Sequence, residues 1–139
     1  MNKQTIIKAT TRTKERKVRE CYLDIDPYRR RVFIILGSFK EVDARLKKLF
    51  DCGVPENTKE AWGAVWRIKN DKTGVSCSIM WMYNLGFDSI THEVFHLTKS
   101  VMESADIPLS DATNESWAYF NGWLNEKVIK FVLPSVKRK

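Results

Sequence analysis

The chain contains two histidines, His92 and His96, with Glu93 beside the first, in the run Thr91-His92-Glu93-Val94-Phe95-His96. On an α-helix, residues four apart lie one above the other on the same face, so both imidazoles can reach one ion. Imidazole is a zinc ligand, and a carboxylate next to the first histidine is placed to take a proton from a metal-bound water. The His-Glu-x-x-His pattern therefore predicts a zinc site with His92 and His96 as ligands and Glu93 as general base. Zinc that keeps one position open for water needs a third protein ligand. The segment Asn114-Glu115-Ser116-Trp117-Ala118-Tyr119 offers Glu115. The intervening residues, 97–114, are enough to finish one helix, turn at Ile107-Pro108 and bring a second helix back antiparallel. Ala118 and Gly122 follow Glu115 at i+3 and i+7, a small-residue stripe that lets two helices approach. The competing assignment for Glu115 is a first-turn carboxylate favoured by the helix dipole. Tyr83 and Tyr119 are candidates to donate a hydrogen bond to a developing oxyanion.

The elements that must position these residues are legible in outline. Residues 1–18 read as a basic, flexible or partly helical arm, and residues 135–139 as a basic tail flanking a single domain over 19–134. Cys21 to Ile25 and Arg31 to Leu36 are β-type runs around an Asp26-Pro27 turn, the second apolar enough to be covered on both faces. Ser38 caps a helix carrying Phe39, Val42, Leu46 and Leu49 on one face, which Gly53 and Pro55 stop. Trp62 to Ile68 and Val75 to Tyr83 form a hairpin across residues 70–74. In the second strand Cys77, Ile79 and Trp81 point one way, Met80 and Met82 the other. A helix from about Ser89 to Ala105 buries Ile90, Val94, Leu97 and Val101. Another, from the Ser110-Asp111-Ala112-Thr113 start to about Leu133, buries Trp117, Phe120, Leu124, Val128 and Phe131. The order predicts an α+β domain, a small antiparallel or mixed sheet with helices on one side. The strand Val75 to Tyr83, if it lies at the sheet's edge, is where an extended peptide would pair.

The two motifs together resemble the gluzincin branch of zinc metallopeptidases, which pair His-Glu-x-x-His with a downstream Asn-Glu-x-x-Ala segment. The resemblance spans roughly Trp62 to Leu124. It implies a zincin-like fold with an active-site helix and a C-terminal glutamate-bearing helix. It also implies zinc on His92, His96 and Glu115, Glu93 as base, Asn114 in support of the ligands, and a peptide or protein substrate. Some members carry an aspartate four residues after the third ligand, where this chain has Tyr119. The small size and basic termini are similar to compact zincin-like proteins of phages and mobile elements.

Composition narrows the classes further. An apolar share of 43% and five tryptophans belong to a folded globular chain rather than a disordered one. No apolar run is long enough for a membrane span, the first 20 residues lack a secretory signal's apolar core, and three widely spaced cysteines read as reduced packing residues. These features point to a cytoplasmic protein, or to host cytoplasm or virion for a phage product. The formal charge of +7 is concentrated near the ends and either keeps the chain soluble or gives the termini a weak contact with nucleic acid. The alternative to an enzyme is a non-catalytic, zinc-stabilised interaction or structural protein.

Overall fold

A computed structural model of the chain describes residues 5–10, 18–25, 30–69 and 76–135. It is a small α+β fold built on one five-stranded mixed sheet. In chain order the strands are β1 (Thr5–Thr10), β2 (Arg19–Ile25), β3 (Arg30–Leu36), β4 (Gly63–Lys69) and β5 (Ser76–Met82). The helices are α1 (Phe39–Phe50), α2 (Phe87–Ser104) and α3 (Asn114–Val132), with short 3-10 turns at Glu56–Thr58 and Leu133–Ser135. Across the sheet the order is β1-β2-β3-β5-β4; β3 and β5 run parallel and the other neighbours antiparallel.

Residues alternating along β3 and β5 bury their side chains in two different cores. Val32, Ile34, Leu36, Met80 and Met82 pack against α2 and α3, whereas Phe33, Ile35, Ile79 and Trp81 pack against Val42 and Leu46 of α1. The helices therefore lie on both sides of the sheet. The expectation of helices on one side is corrected by the apolar character of both faces of these strands, each of which must be covered. A second correction concerns residues 1–18. Thr5–Thr10, read as part of a flexible arm, is a strand paired with β2, and Val18 is buried. The Asp26-Pro27 turn, the hairpin turn and the basic residues 1–4, 11–17 and 136–139 lie outside the described residues.

Local chemistry fixes α1 and the wall that follows it. The Ser38 hydroxyl accepts the Glu41 N–H at 3.4 Å and donates to the Glu41 carboxylate at 3.0 Å, as its position before an amphipathic run predicts. The helix ends at Asp51, whose φ of 59° places it in the left-handed region, two residues before Gly53. Buried Glu20 in β2 pairs with Arg45 at 2.8 Å and holds α1 onto the sheet. Asp43 ties the chain beyond α1 back to the helix, accepting the Val54 N–H at 2.9 Å and meeting the Lys47 ammonium at 2.9 Å. A Cβ on Gly53 would stand 2.0 Å from Asp43 Oδ1, so glycine is what permits this closure.

Burial pushes the Asp43 carboxyl upward, but the bonds from Lys47 and Val54 outweigh it and leave its pKa below the ordinary 3.8. Its contribution to stability is then present above that ordinary value and is lost as pH falls through the depressed native one. Asp43→Asn is expected to lower stability at pH 7, by about 1 kcal/mol. The difference should shrink as pH drops below 3.8; urea denaturation across a pH series checks it.

Candidate active site

Strand order decides what lies beside α2. After β5 the chain turns through Tyr83 to Gly86, and α2 runs back across the sheet with Ile90, Val94, Leu97 and Val101 fully buried against it. Ser78 of β5 and Ser100 of α2 share a hydrogen bond of 2.8 Å that fixes their register. The strand beyond β5 is β4, and no described strand pairs with its outer edge. The expectation that Val75 to Tyr83 could serve as an edge is corrected: β5 is held between β3 and β4 because both its faces and both its flanks are covered. The free edge belongs to β4. Along it Ala64, Trp66 and Ile68 turn toward α1, so Gly63, Val65 and Arg67 turn toward α2.

Between β4 and α2 opens a cleft of about 1020 Å³. His92, Glu93 and His96 line one wall; Trp62, Gly63 and Arg67 line the other. The histidines are brought together as their spacing predicts. Their Nε2 atoms are 3.1 Å apart with ring planes inclined at 74°. Two nitrogens on one tetrahedral zinc are about 3.3 Å apart, from a zinc–nitrogen length near 2.05 Å. The pair is thus spaced for a shared ion as well as for a hydrogen bond. Both rings are exposed. Phe95, next to His96 on α2, is 49% exposed as well.

Glu93 occupies a different environment. Its Oε2 is buried and has no hydrogen-bond partner. The reason lies in Gly63: a Cβ there would stand 3.2 Å from Glu93 Cγ, 3.3 Å from its Cδ and 2.9 Å from the Trp81 carbonyl. A side chain at this position would collide with the Trp81 carbonyl and crowd the carboxylate, so glycine lets Glu93 lie this close to the strand. Burial raises the Glu93 pKa above 4.5, against the smaller opposite pull of His96 and His92. A partly desolvated carboxylate beside two imidazoles is a stronger proton acceptor than one in water.

Glu115 is not gathered with them. Among the described residues no group of three His, Cys, Asp or Glu side chains is placed to hold a metal. Glu115 stands exposed in the first turn of α3. The Thr98 hydroxyl donates to Asn121 Oδ1 at 2.8 Å, setting how α3 runs back along α2. In that register Glu115 falls level with the end of α2, roughly 12 Å along the axis from His96. The small-residue stripe does not bring the helices together either: Ala118 and Gly122 are exposed, and a Cβ on Gly122 would meet nothing within 4 Å. Asn114 is exposed beside Glu115. Tyr83 and Tyr119 are 60% and 76% exposed, and neither lines the cleft.

The structure adds residues that motif reading passed over. Asp88, one turn before His92 on the same helix, lines the cleft with both histidines. Its i−4 spacing was a readable signal. Trp62 is 63% exposed at the rim while its carbonyl accepts the Tyr83 and Asn84 N–H groups at 2.8 and 3.1 Å. Its backbone is fixed and its indole is free. Nothing in the sequence marks Gly63, whose role depends on packing across the cleft.

The buried, unpaired oxygen makes Glu93 costly to the fold. A pKa raised on folding means that its favourable protonated state prevails below the ordinary value of 4.5 and is lost as pH rises through the raised one. Glu93→Gln, with chelator present, is therefore expected to be more stable than the parent at pH 7, and the gain should shrink as pH falls below 4.5. Thermal unfolding at several pH values checks it. No family model, curated protein or solved structure matches this chain.

Proposed function

We propose that the chain is a zinc-dependent hydrolase that cleaves a peptide bond in an extended segment lying along β4. The observation that carries this reading is the convergence of His92 and His96 at 3.1 Å in the same cleft as a buried, unpartnered carboxylate oxygen of Glu93. The donor set suits zinc, since two imidazoles offer nitrogen ligands at a tetrahedral bite. A zinc ion held by His92 and His96 would supply Lewis acidity and lower the pKa of a bound water. Glu93 takes a proton from the attacking water and passes it to the leaving amine. Gly63 keeps that carboxylate against the strand, and the outer edge of β4 presents backbone groups that pair with an extended substrate. The likeness to gluzincins adds the expectation of peptide chemistry.

The third ligand is the open part of the design. Glu115, the ligand that the likeness implies, lies roughly 12 Å along the helix axis from His96. Asp88, one helical turn before His92 and lining the same cleft, is the nearer carboxylate. Metal analysis separates the two. Protein purified without added metal is expected to hold about one zinc per chain, and His92→Ala far less. Glu115→Ala and Asp88→Ala, measured alongside, identify the ligand by which one loses the metal. Glu93→Gln is expected to keep the zinc and lose about 100-fold or more of turnover on a quenched-fluorescence peptide library. Zinc-loaded parent protein with no turnover on that library leaves a zinc-stabilised interaction module as the better reading, and protein without zinc removes both.

A further inference from the structure

The cleft is not uniform in charge along its length. Its far end, away from Gly63, holds Arg67, Lys99 and Glu103. Arg67 pairs in register with Ser78, and Ser78 is bonded to Ser100, so Arg67 and Lys99 meet at the same end from opposite walls. Lys99 lies one turn beyond His96 and has a distant ion-pair partner, Glu103 at 4.0 Å. Arg67 is exposed and makes no ion pair among the described residues. With Glu103 set against Lys99, that end keeps the guanidinium's positive charge uncompensated. At the other end Glu60 and Asp88 line the cleft. Any extended chain pairing with β4 thus passes from acidic groups, over the histidines, to the uncompensated guanidinium of Arg67.

We infer that Arg67, with Lys99, selects an extended peptide bearing an aspartate or glutamate side chain at the far end of the cleft. The inference rests on the reading of the cleft as a peptide site. The geometry sets the spacing. Arg67 is four residues from Gly63 along β4, about 13 Å at 3.3 Å per residue, so the acidic side chain lies several residues from the bond beside Glu93. On an extended peptide alternate side chains point the same way, and only those sharing Arg67's face reach it. A guanidinium takes a carboxylate through two parallel N–H donors, which discriminates against an amide of the same shape. Lys99 adds charge from the helix wall without that geometry.

The test uses the full chain carrying Glu93→Gln to prevent turnover, loaded with zinc. The probes are fluorescein-labelled hexapeptides of valine and threonine in which one glutamate is moved through the positions, each with a glutamine and a lysine counterpart. Anisotropy titration is expected to find one or two alternate positions at which glutamate binds about tenfold tighter than glutamine. That preference should vanish in Arg67→Ala, turn in favour of lysine in Arg67→Glu, and weaken at 0.5 M salt, where exposed charges are largely screened. Arg67 is exposed, so these variants are expected to melt with the parent, and thermal unfolding checks that they do. Equal affinity for glutamate and glutamine peptides, a preference that survives Arg67→Glu, or no binding of any peptide overturns the inference. The hydrolase reading fails separately. Selective binding with no cleavage by the zinc-loaded parent removes the chemistry and keeps the selectivity, whereas cleavage without acidic preference does the reverse.

Discussion

The parallel pairing of β3 with β5 is the constraint from which the rest of the molecule follows. Two parallel strands cannot be joined by a tight turn, so the chain between them must cross over and pack on the sheet. Here the crossover carries α1 on one face, then β4, which reaches β5 as an antiparallel neighbour. Since β3 and β5 are buried on both sides, α2 and α3 cover the other face. The indole N–H of Trp81 donates to the Gly37 carbonyl at 2.8 Å and fastens β5 to the corner where β3 leaves the sheet. Every feature of the cleft is downstream of that arrangement: β4 is outermost, α2 lies over it, and the histidines face the gap.

Much of this was legible from residue type and spacing. Ser38 before an amphipathic run gave α1, and the alternation of Cys77, Ile79 and Trp81 with Met80 and Met82 gave the two faces of β5. The same alternation, taken with the apolar run of β3, already required helices on both sides. The strand Thr5–Thr10 was hidden because its β-branched residues sit among many charged ones in the surrounding sequence. At the site, His92, Glu93 and His96 were readable because a fixed helical pitch sets their relation. Glu115 was harder because chain length between two helices gives reach but not rotation. Trp117 held the missing information. Residues two apart on a helix differ by about 200°, so burying Trp117 turns Glu115 outward. Gly63 and the order of the strands depend on contacts between distant segments, which no local pattern encodes.

The cleft joins two kinds of environment within a few ångströms. The imidazoles are exposed, while the carboxylate between them is pressed against backbone with one oxygen unsatisfied. Such a group lowers stability, and the fold alone does not need it. The buried thiols of Cys21 and Cys77 make the contrast plain. Burial raises each to about 12, and both pack within the cores as small apolar residues at a distance from the cleft. The polar anomaly at Glu93 belongs to a surface opening instead.

An uncovered sheet margin carries a hazard of its own. The backbone groups that make β4 available to a guest strand make it equally available to the margin of another copy, and such pairing can propagate into insoluble assemblies. Two copies meeting there antiparallel would bring their Arg67 guanidiniums onto one shared seam, where like charges oppose each other. The same cation that greets a carboxylate would keep siblings apart, leaving the margin free for strangers of opposite sign.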